Sequence, residues 1–264
     1  MQCGLTRLFL IMGEQDAEVP QPRFSGTGSQ RDLFGGAENS ELFFNYTEAD
    51  MALIAGMHSA EGIDFSGLPP QARCLYELSA DSFCAIVRAW MSELPLTARI
   101  IRMGRRILAS AGRPEAGRIS GDRGDPDVQA VHEAAYKVWH EYHRLMGLLR
   151  FSPDADGAYI ARCSPDHLAL PALGPHFYER FGETPWAVID EKRRLCLLRA
   201  AARPPELFCI SERPASAPLA NGDAWEKLWR QYHATINNES RNNPALQRQF
   251  MPKRYWKYLP EKHD

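Results

Sequence analysis

Three observations predict an α+β fold. A sustained apolar seam with three- and four-residue spacing runs through the middle of the 264-residue chain. Two pairs of short strand-like runs follow it, each pair joined across a turn signal, with a helical stretch between them. The chain is 44% hydrophobic and 24% charged, which suits a protein with a real core and excludes collagen, a disulfide mini-protein and a wholly disordered chain. The expected order is a helical N-terminal half with a long amphipathic helix, an antiparallel β-hairpin–helix–β-hairpin unit, and C-terminal helices. The expected organisation is a flexible acidic head over 1–45 carrying a docking peptide, then a single α+β domain over 46–264. That domain would be helical over 71–149, sheet-containing over 148–202 and helical again over 222–264.

Each element has a local cause. Residues 13–41 are rich in Gly, Ser, Gln, Pro and acids, too poor in aliphatic side chains to order themselves. Ser79 can cap a helix through Phe83, Ile86, Val87 and Trp90. A second helix, about 97–111, turns Ile100, Ile101, Ile107 and Leu108 inward and leaves Arg99, Arg102, Arg105 and Arg106 as a basic stripe. Four glycines make 112–125 a loop. Asp125 as N-cap and Pro126 as first helical residue open the long helix, whose seam is Val128, Val131, Ala135, Val138, Tyr142, Leu145 and Leu149. Residues 148–152 and 158–162 flank the turn Pro153–Gly157. Ser164-Pro165-Asp166 reads as the start of the next helix, which runs to about residue 181 and is broken or kinked near Pro171 and Gly174-Pro175. Residues 186–190 and 195–199 make a second hairpin, and the order strand–strand–helix–strand–strand suggests an antiparallel sheet covered on one face. Residues 203–222 read as a Pro-rich connection. Asp223 and Glu226 open a helix that stacks Trp225, Trp229, Tyr232 and Ile236.

Charge is unevenly spread. Residues 1–70 carry three basic and ten acidic side chains, the other 194 carry 28 and 23, and the formal total is -2. The sequence pI of about 6.5 argues against a histone-like polycation but leaves a basic body behind an acidic head. The six cysteines are scattered without a C-x-x-C pair, so zinc ribbons and redox motifs are unsupported and free thiols are expected. The apolar run Leu8–Met12 is too short for a membrane span or a full signal peptide, and a cytoplasmic location is expected.

Several residues could carry chemistry. His140 and His143 lie three apart on the long helix, yet H-E-Y-H is not H-E-x-x-H and no third ligand follows, so no metal is expected. His143, Asp166, His167 and His176 are the candidate acids, bases or nucleophile partners. Adjacent residues of a helix point about 100° apart, so Ser164, Asp166 and His167 cannot form a triad by themselves. Arg144, Arg150 and Arg162 cluster in sequence around the first hairpin and suit an anion. The C-terminal stretch interleaves Arg248, Lys253, Arg254, Lys257 and Lys262 with Phe250, Tyr255, Trp256 and Tyr258. Cations there can hold phosphates while aromatic faces stack on bases or dock the tail on the body. The expected nucleic-acid contacts are Arg144, Arg150, Arg248, Lys253, Arg254, Tyr255, Trp256 and Lys257. In the head, Gln30-Arg31-Asp32-Leu33-Phe34 resembles the Gln-x-(Ser/Asp)-Leu-Phe peptide by which bacterial DNA-processing proteins dock on the sliding clamp. Leu33 and Phe34 would anchor in a groove, with Gln30 and Asp32 beside them.

A family resemblance rests on the motifs from residue 140 onward. These are His143–Phe151, Ser164-Pro165-Asp166-His167, His176–Phe181, Asp190-Glu191-Lys192-Arg193, Leu228-Trp229, Arg241–Pro244 and Gln249–Lys257. They resemble a bacterial domain-of-unknown-function family described as probable DNA metabolism proteins, over about residues 75–261. The family is associated with a DNA modification or repair radical-SAM protein, and some members are fused to a uracil-DNA-glycosylase-like domain. No such module is visible here, residues 1–70 depart from the family's usual start, and the family offers no catalytic residues to carry over. The resemblance implies an accessory protein of DNA repair or modification that binds DNA and works with a radical-SAM partner. This chain lacks a C-x3-C-x2-C cradle, so an iron–sulfur cluster and SAM are expected only in that partner. The alternatives are an enzyme acting on a nucleic-acid base or backbone, and an interaction scaffold without catalysis.

Overall fold

Apolar periodicity in the first half of the chain demands helices that bury one stripe each, and the alternating runs of the second half demand a sheet. The computed structural model answers both demands, and it describes residues 4–14, 48–59, 62–113, 116–154, 157–200, 203–210, 224–236 and 243–262. The protein is α+β, with helices throughout and one five-stranded sheet. Its described residues fall into two compact units, 1–140 and 141–264. No helix among them is long and apolar enough to cross a membrane. Cys74, Cys84, Cys163, Cys196 and Cys209 are free thiols.

In the first unit, α1 (Leu5–Gly13) and α2 (Glu48–Gly56) precede the expected helical stretch. The head expected to be flexible therefore contains an ordered helix. Four residues of α1, Leu5, Leu8, Phe9 and Met12, are buried, and Phe9 stacks on Phe83. Asp50, fully buried, accepts hydrogen bonds from the Thr6 N–H at 2.8 Å and the Thr6 hydroxyl at 2.7 Å, tying α2 to the start of α1. Next come α3 (Pro70–Leu78), α4 (Ala80–Met91) and α5 (Thr97–Ala109). Ser79 caps α4 as expected, its hydroxyl accepting from the Ser82 N–H. A Cβ at Gly104 of α5 would collide with the Met12 sulfur, so the glycine permits the close approach of α1.

The glycine-rich loop holds a short helix, α6 (Ala116–Gly121), where only loop was expected. The long helix is α7 (Pro126–Leu148), opened by Asp125, whose carboxylate accepts from the N–H groups of Asp127 and Val128. The basic stripe of α5 is consumed at this helix start. Arg102 forks onto Asp127, Arg106 pairs with Asp125, and Arg99 donates to the Pro126 carbonyl. Arg105 reaches back to the Ile11 carbonyl of α1. The Arg106 guanidinium and the cap bonds hold the Asp125 carboxyl well below the usual carboxylate range.

The second unit contains the sheet, with strands β1 (Phe151–Pro153), β2 (Tyr159–Cys163), β3 (Trp186–Asp190), β4 (Leu195–Arg199) and β5 (Glu206–Cys209) in spatial order 1-2-3-4-5. The two hairpins are antiparallel, as expected. The sheet as a whole is not. β2 and β3 run parallel, Tyr159 opposite Trp186 and Cys163 opposite Asp190. A helix crosses between them, and a crossover connection returns the chain in the same direction. That helix is α8 (Leu170–Phe181). It runs on through Pro175 without a break, although the missing N–H forfeits the bond to the Pro171 carbonyl and the ring crowds it. Phe177 and Phe181 of α8 meet Phe151 and Trp186 of the sheet at ring-centroid distances of 4.7–6.4 Å. β5 lies within the stretch expected to be connection and pairs with β4 in register, Leu195 opposite Cys209.

C-terminal to the sheet are α9 (Ala224–Ile236) and α10 (Pro244–Phe250), then 3-10 turns over Lys253–Tyr258 and Pro260–Lys262. The Asp223 cap expected for α9 and the clamp-like peptide Gln30, Asp32, Leu33 and Phe34 lie outside the described residues. Phe177 is fully enclosed in the aromatic cluster, so Phe177→Ala leaves a cavity that the rigid sheet cannot close. The expected cost is about 3–5 kcal/mol, read from the midpoint of urea unfolding.

Candidate functional site

The charged residues of the second unit gather at the carboxyl ends of the parallel pair β2 and β3, where open α/β sheets commonly place their sites. At the centre is Glu141 of α7. It lies three residues after Val138 and four before Leu145, inside the apolar seam, and is buried. Its Oε1 accepts from the Tyr255 hydroxyl at 2.6 Å, Arg254 Nη2 at 2.8 Å and the Asp166 N–H at 2.8 Å. Its Oε2 accepts from the His167 N–H at 2.6 Å. Burial alone would raise the Glu141 carboxyl; the Tyr255 hydroxyl, the two N–H groups and Arg254 outweigh it and hold it below the ordinary value. The same carboxylate and burial push the Tyr255 phenol far up, so it stays a neutral donor.

The connection from β2 to α8 is gripped from a second side. Arg193, buried, donates to the Pro165 carbonyl at 3.0 Å, the Asp166 carbonyl at 2.7 Å and the Asp190 carboxylate at 2.9 Å. Asp190 also accepts from the N–H groups of Lys192 and Arg193, closing the β3–β4 turn. Burial pushes the Asp190 carboxyl up, and the Arg193 guanidinium opposes that push. Thus the N–H groups of the connection point to a buried carboxylate and its carbonyls to a buried guanidinium. This corrects the expected helix start at Ser164. The N–H groups of Asp166 and His167 are taken by Glu141, and α8 begins only at Leu170.

The C-terminal turn Lys253–Tyr258 closes the cluster, and its three-residue period sorts its side chains. Tyr255 and Tyr258 share one row, with hydroxyls on Glu141 and, at 2.7 Å, on Glu191. Arg254 and Lys257 share the next. Arg254 bridges Glu141 and Asp166, and Lys257 pairs with Glu191 at 3.2 Å. Lys253 and Trp256 form the third row, with the Lys253 ammonium 5.9 Å from the Trp256 ring centroid. The Lys262 ammonium lies 5.0 Å from the same ring. The indole N–H donates to the Met251 carbonyl at 2.9 Å. Arg144 donates weakly to the neighbouring Gln249 carbonyl, and Arg248 to the Pro244 carbonyl of its own helix.

These positions divide the expected site residues. Of the candidates for acid–base work, Asp166 is exposed and paired with Arg254, and His167 joins the cluster through its backbone. His143 is exposed on α7, its ring edge-on to Tyr142. His176 packs edge-on against Phe177, its Nε2 has no hydrogen-bond partner among the described residues, and burial lowers its pKa. Of the expected phosphate contacts, Arg150 pairs with Glu261 at 2.7 Å and lies over the Trp229 ring, and Arg254 and Lys257 are paired as above. Tyr255 is only 2% exposed. Arg144, Arg248, Lys253 and Lys262 make no ion pair with a described residue. Among the described residues, no group of three or more His, Cys, Asp or Glu is placed to hold a metal ion. Sequence reasoning passed over Glu141 and Glu191 as site residues and named Lys262 only as one cation of the C-terminal tract. Glu141 alone carried a signal, a carboxylate at a seam position.

A family model described as a domain of unknown function, DUF4130, matches residues 101–261. The chain belongs to the DUF4130 family. No curated protein and no solved structure matches it. The DUF4130 match takes in Glu141, the gripped connection and the C-terminal turn up to Glu261.

Removing Arg254 leaves Glu141 buried without its charge partner. Arg254→Ala is expected to cost about 3 kcal/mol, toward the low end for such a change because a third of the Arg254 side chain is exposed. Adding Glu141→Gln should recover part of that loss. Because the folded-state pKa of Glu141 is depressed, its stabilisation is full above the ordinary value near 4.5 and is lost as pH falls through the lower folded value. The stability gap between wild type and Glu141→Gln should therefore narrow below about pH 4.5, followed by urea unfolding across pH.

Proposed function

We propose that the chain is a nucleic-acid-binding accessory protein of DNA repair or modification that works beside a radical-SAM partner. The observation that carries this reading is the set of cations around Trp256 and the C-terminal turn. Lys253, Lys262, Arg144 and Arg248 have no carboxylate partner among the described residues, and the first two lie over the Trp256 indole. Cations left unneutralised beside an aromatic ring suit a ligand that offers both phosphates and bases. The resemblance to DNA metabolism proteins supports the same reading. The iron–sulfur cluster and SAM belong to the partner, since this chain has no cysteine cradle for a cluster.

The test is a salt titration of DNA binding with Lys253→Ala/Lys262→Ala, leaving Arg254 in place because its loss would disturb Glu141. The double variant should weaken binding and reduce the slope of log affinity against log salt by about 1.4–1.8. An unchanged slope removes the role assigned to this face. Co-purification addresses the partners. Wild type should retain the radical-SAM protein and the sliding clamp, and Leu33→Ala/Phe34→Ala should lose the clamp alone. Clamp retention by the double variant removes the docking role, and absence of the radical-SAM protein removes the partnership.

A further inference from the structure

We infer that the ligand of this face is single-stranded nucleic acid, its unpaired bases stacked on Trp256 and Phe250. The inference rests on the nucleic-acid reading above and adds the state of the strand. A duplex hides its base faces and offers a protein only base edges and phosphates, so a duplex grip needs cations and groove-reading side chains. Flat aromatic faces are of use where bases are unstacked.

Two aromatic rings lie at one anchored turn, Phe250 just before it and the half-buried Trp256 within it. Phe250 ends α10 with 65% of its surface exposed. Met251, the next residue, gives its carbonyl to the Trp256 indole N–H, which fixes the ring in place. Gln249, the residue before, gives its carbonyl to Arg144. Phe250 and Trp256 are therefore held on the same short segment, with Arg144, Lys253 and Lys262 around them. The ammoniums over the indole are on flexible stems, so a base can take the ring face while they move to the phosphates on either side of it. Of the other aromatics of this region, Tyr232 is also exposed, its ring 5.9 Å from that of Trp229. Tyr255 and Tyr258 hold carboxylates, and Trp229 donates to Glu261 under the Arg150 guanidinium.

The test measures binding of the full chain to labelled oligo-dT and to a duplex of equal length, at one fixed low salt. Wild type should prefer the single strand by roughly ten-fold or more. Trp256→Ala and Phe250→Ala should each weaken single-strand binding by roughly ten-fold and change duplex binding little, while Trp256→Phe keeps most of the affinity. Phe250 is exposed, so Phe250→Ala leaves the fold intact, checked by circular dichroism, and with Trp256→Phe it decides the matter if Trp256→Ala fails to fold. Equal binding of duplex and single strand overturns the inference and leaves the nucleic-acid reading standing. So does wild-type single-strand affinity in Phe250→Ala together with a folded Trp256→Ala; a protein partner would then be what covers Phe250. Binding to neither probe removes the nucleic-acid reading itself.

Discussion

The second unit depends on one buried carboxylate. Moving a carboxylate out of water is costly unless its lone pairs are occupied, and Glu141 has four donors. Two lie 25 and 26 residues away in the β2–α8 connection, and two lie 113 and 114 residues away in the C-terminal turn. A single side chain thus joins the end of α7, the crossover and the C-terminus. All of its donors come from the protein itself, which gives Glu141 an architectural task. Its acid strength follows from that task, because every donor favours the ionised form.

The charge arithmetic of the sequence takes on a different meaning once the pairs are known. The cations of the C-terminal stretch are two populations. Arg150, Arg254, Lys257 and Arg162 balance Glu261, Glu141, Asp166 and Glu191, so this group carries little net charge. Arg144, Arg248, Lys253 and Lys262 have no such partner among the described residues. A formal net charge of -2 conceals the distinction between paired and unpaired cations. The same division holds in the first unit, where the stripe on α5 is spent on Asp125 and Asp127 at the start of α7.

What the sequence disclosed and what it withheld follow from where the stabilising partners lie. Asp125-Pro126 predicts the start of α7 because an N-cap bonds to its own next residues, and the β3–β4 hairpin is legible for the same local reason. Ser164-Pro165-Asp166 has the same composition as a cap, yet its N–H groups are claimed by a residue more than twenty positions upstream. β5 has four residues behind two prolines and is recognisable only by its pairing with β4. The parallel β2–β3 contact required knowing that α8 crosses over between them. α1 is nine residues long, too short to declare itself as a helix without the burial of Leu5, Leu8, Phe9 and Met12.

The C-terminal turn shows how a small change of helical period separates side chains held by carboxylates from those that are not. Read as a string, Lys-Arg-Tyr-Trp-Lys-Tyr is one basic aromatic tract. At three residues per turn it becomes three rows, and two of them are held by carboxylates. The held rows fix the backbone of the turn, and the third row inherits that rigidity without bonding to the cluster itself. Lys253 and Trp256 therefore stand at fixed places because Tyr255 and Arg254, their neighbours in the chain, are anchored on Glu141. A binding face arranged beforehand spares a ligand the cost of ordering it. On this reading the buried carboxylate bears on recognition without touching the ligand, and substitutions at Glu141 and at Trp256 should differ in kind. The first loosens the turn where it is anchored on Glu141; the second removes the ring and its bond to the Met251 carbonyl and leaves that anchor in place.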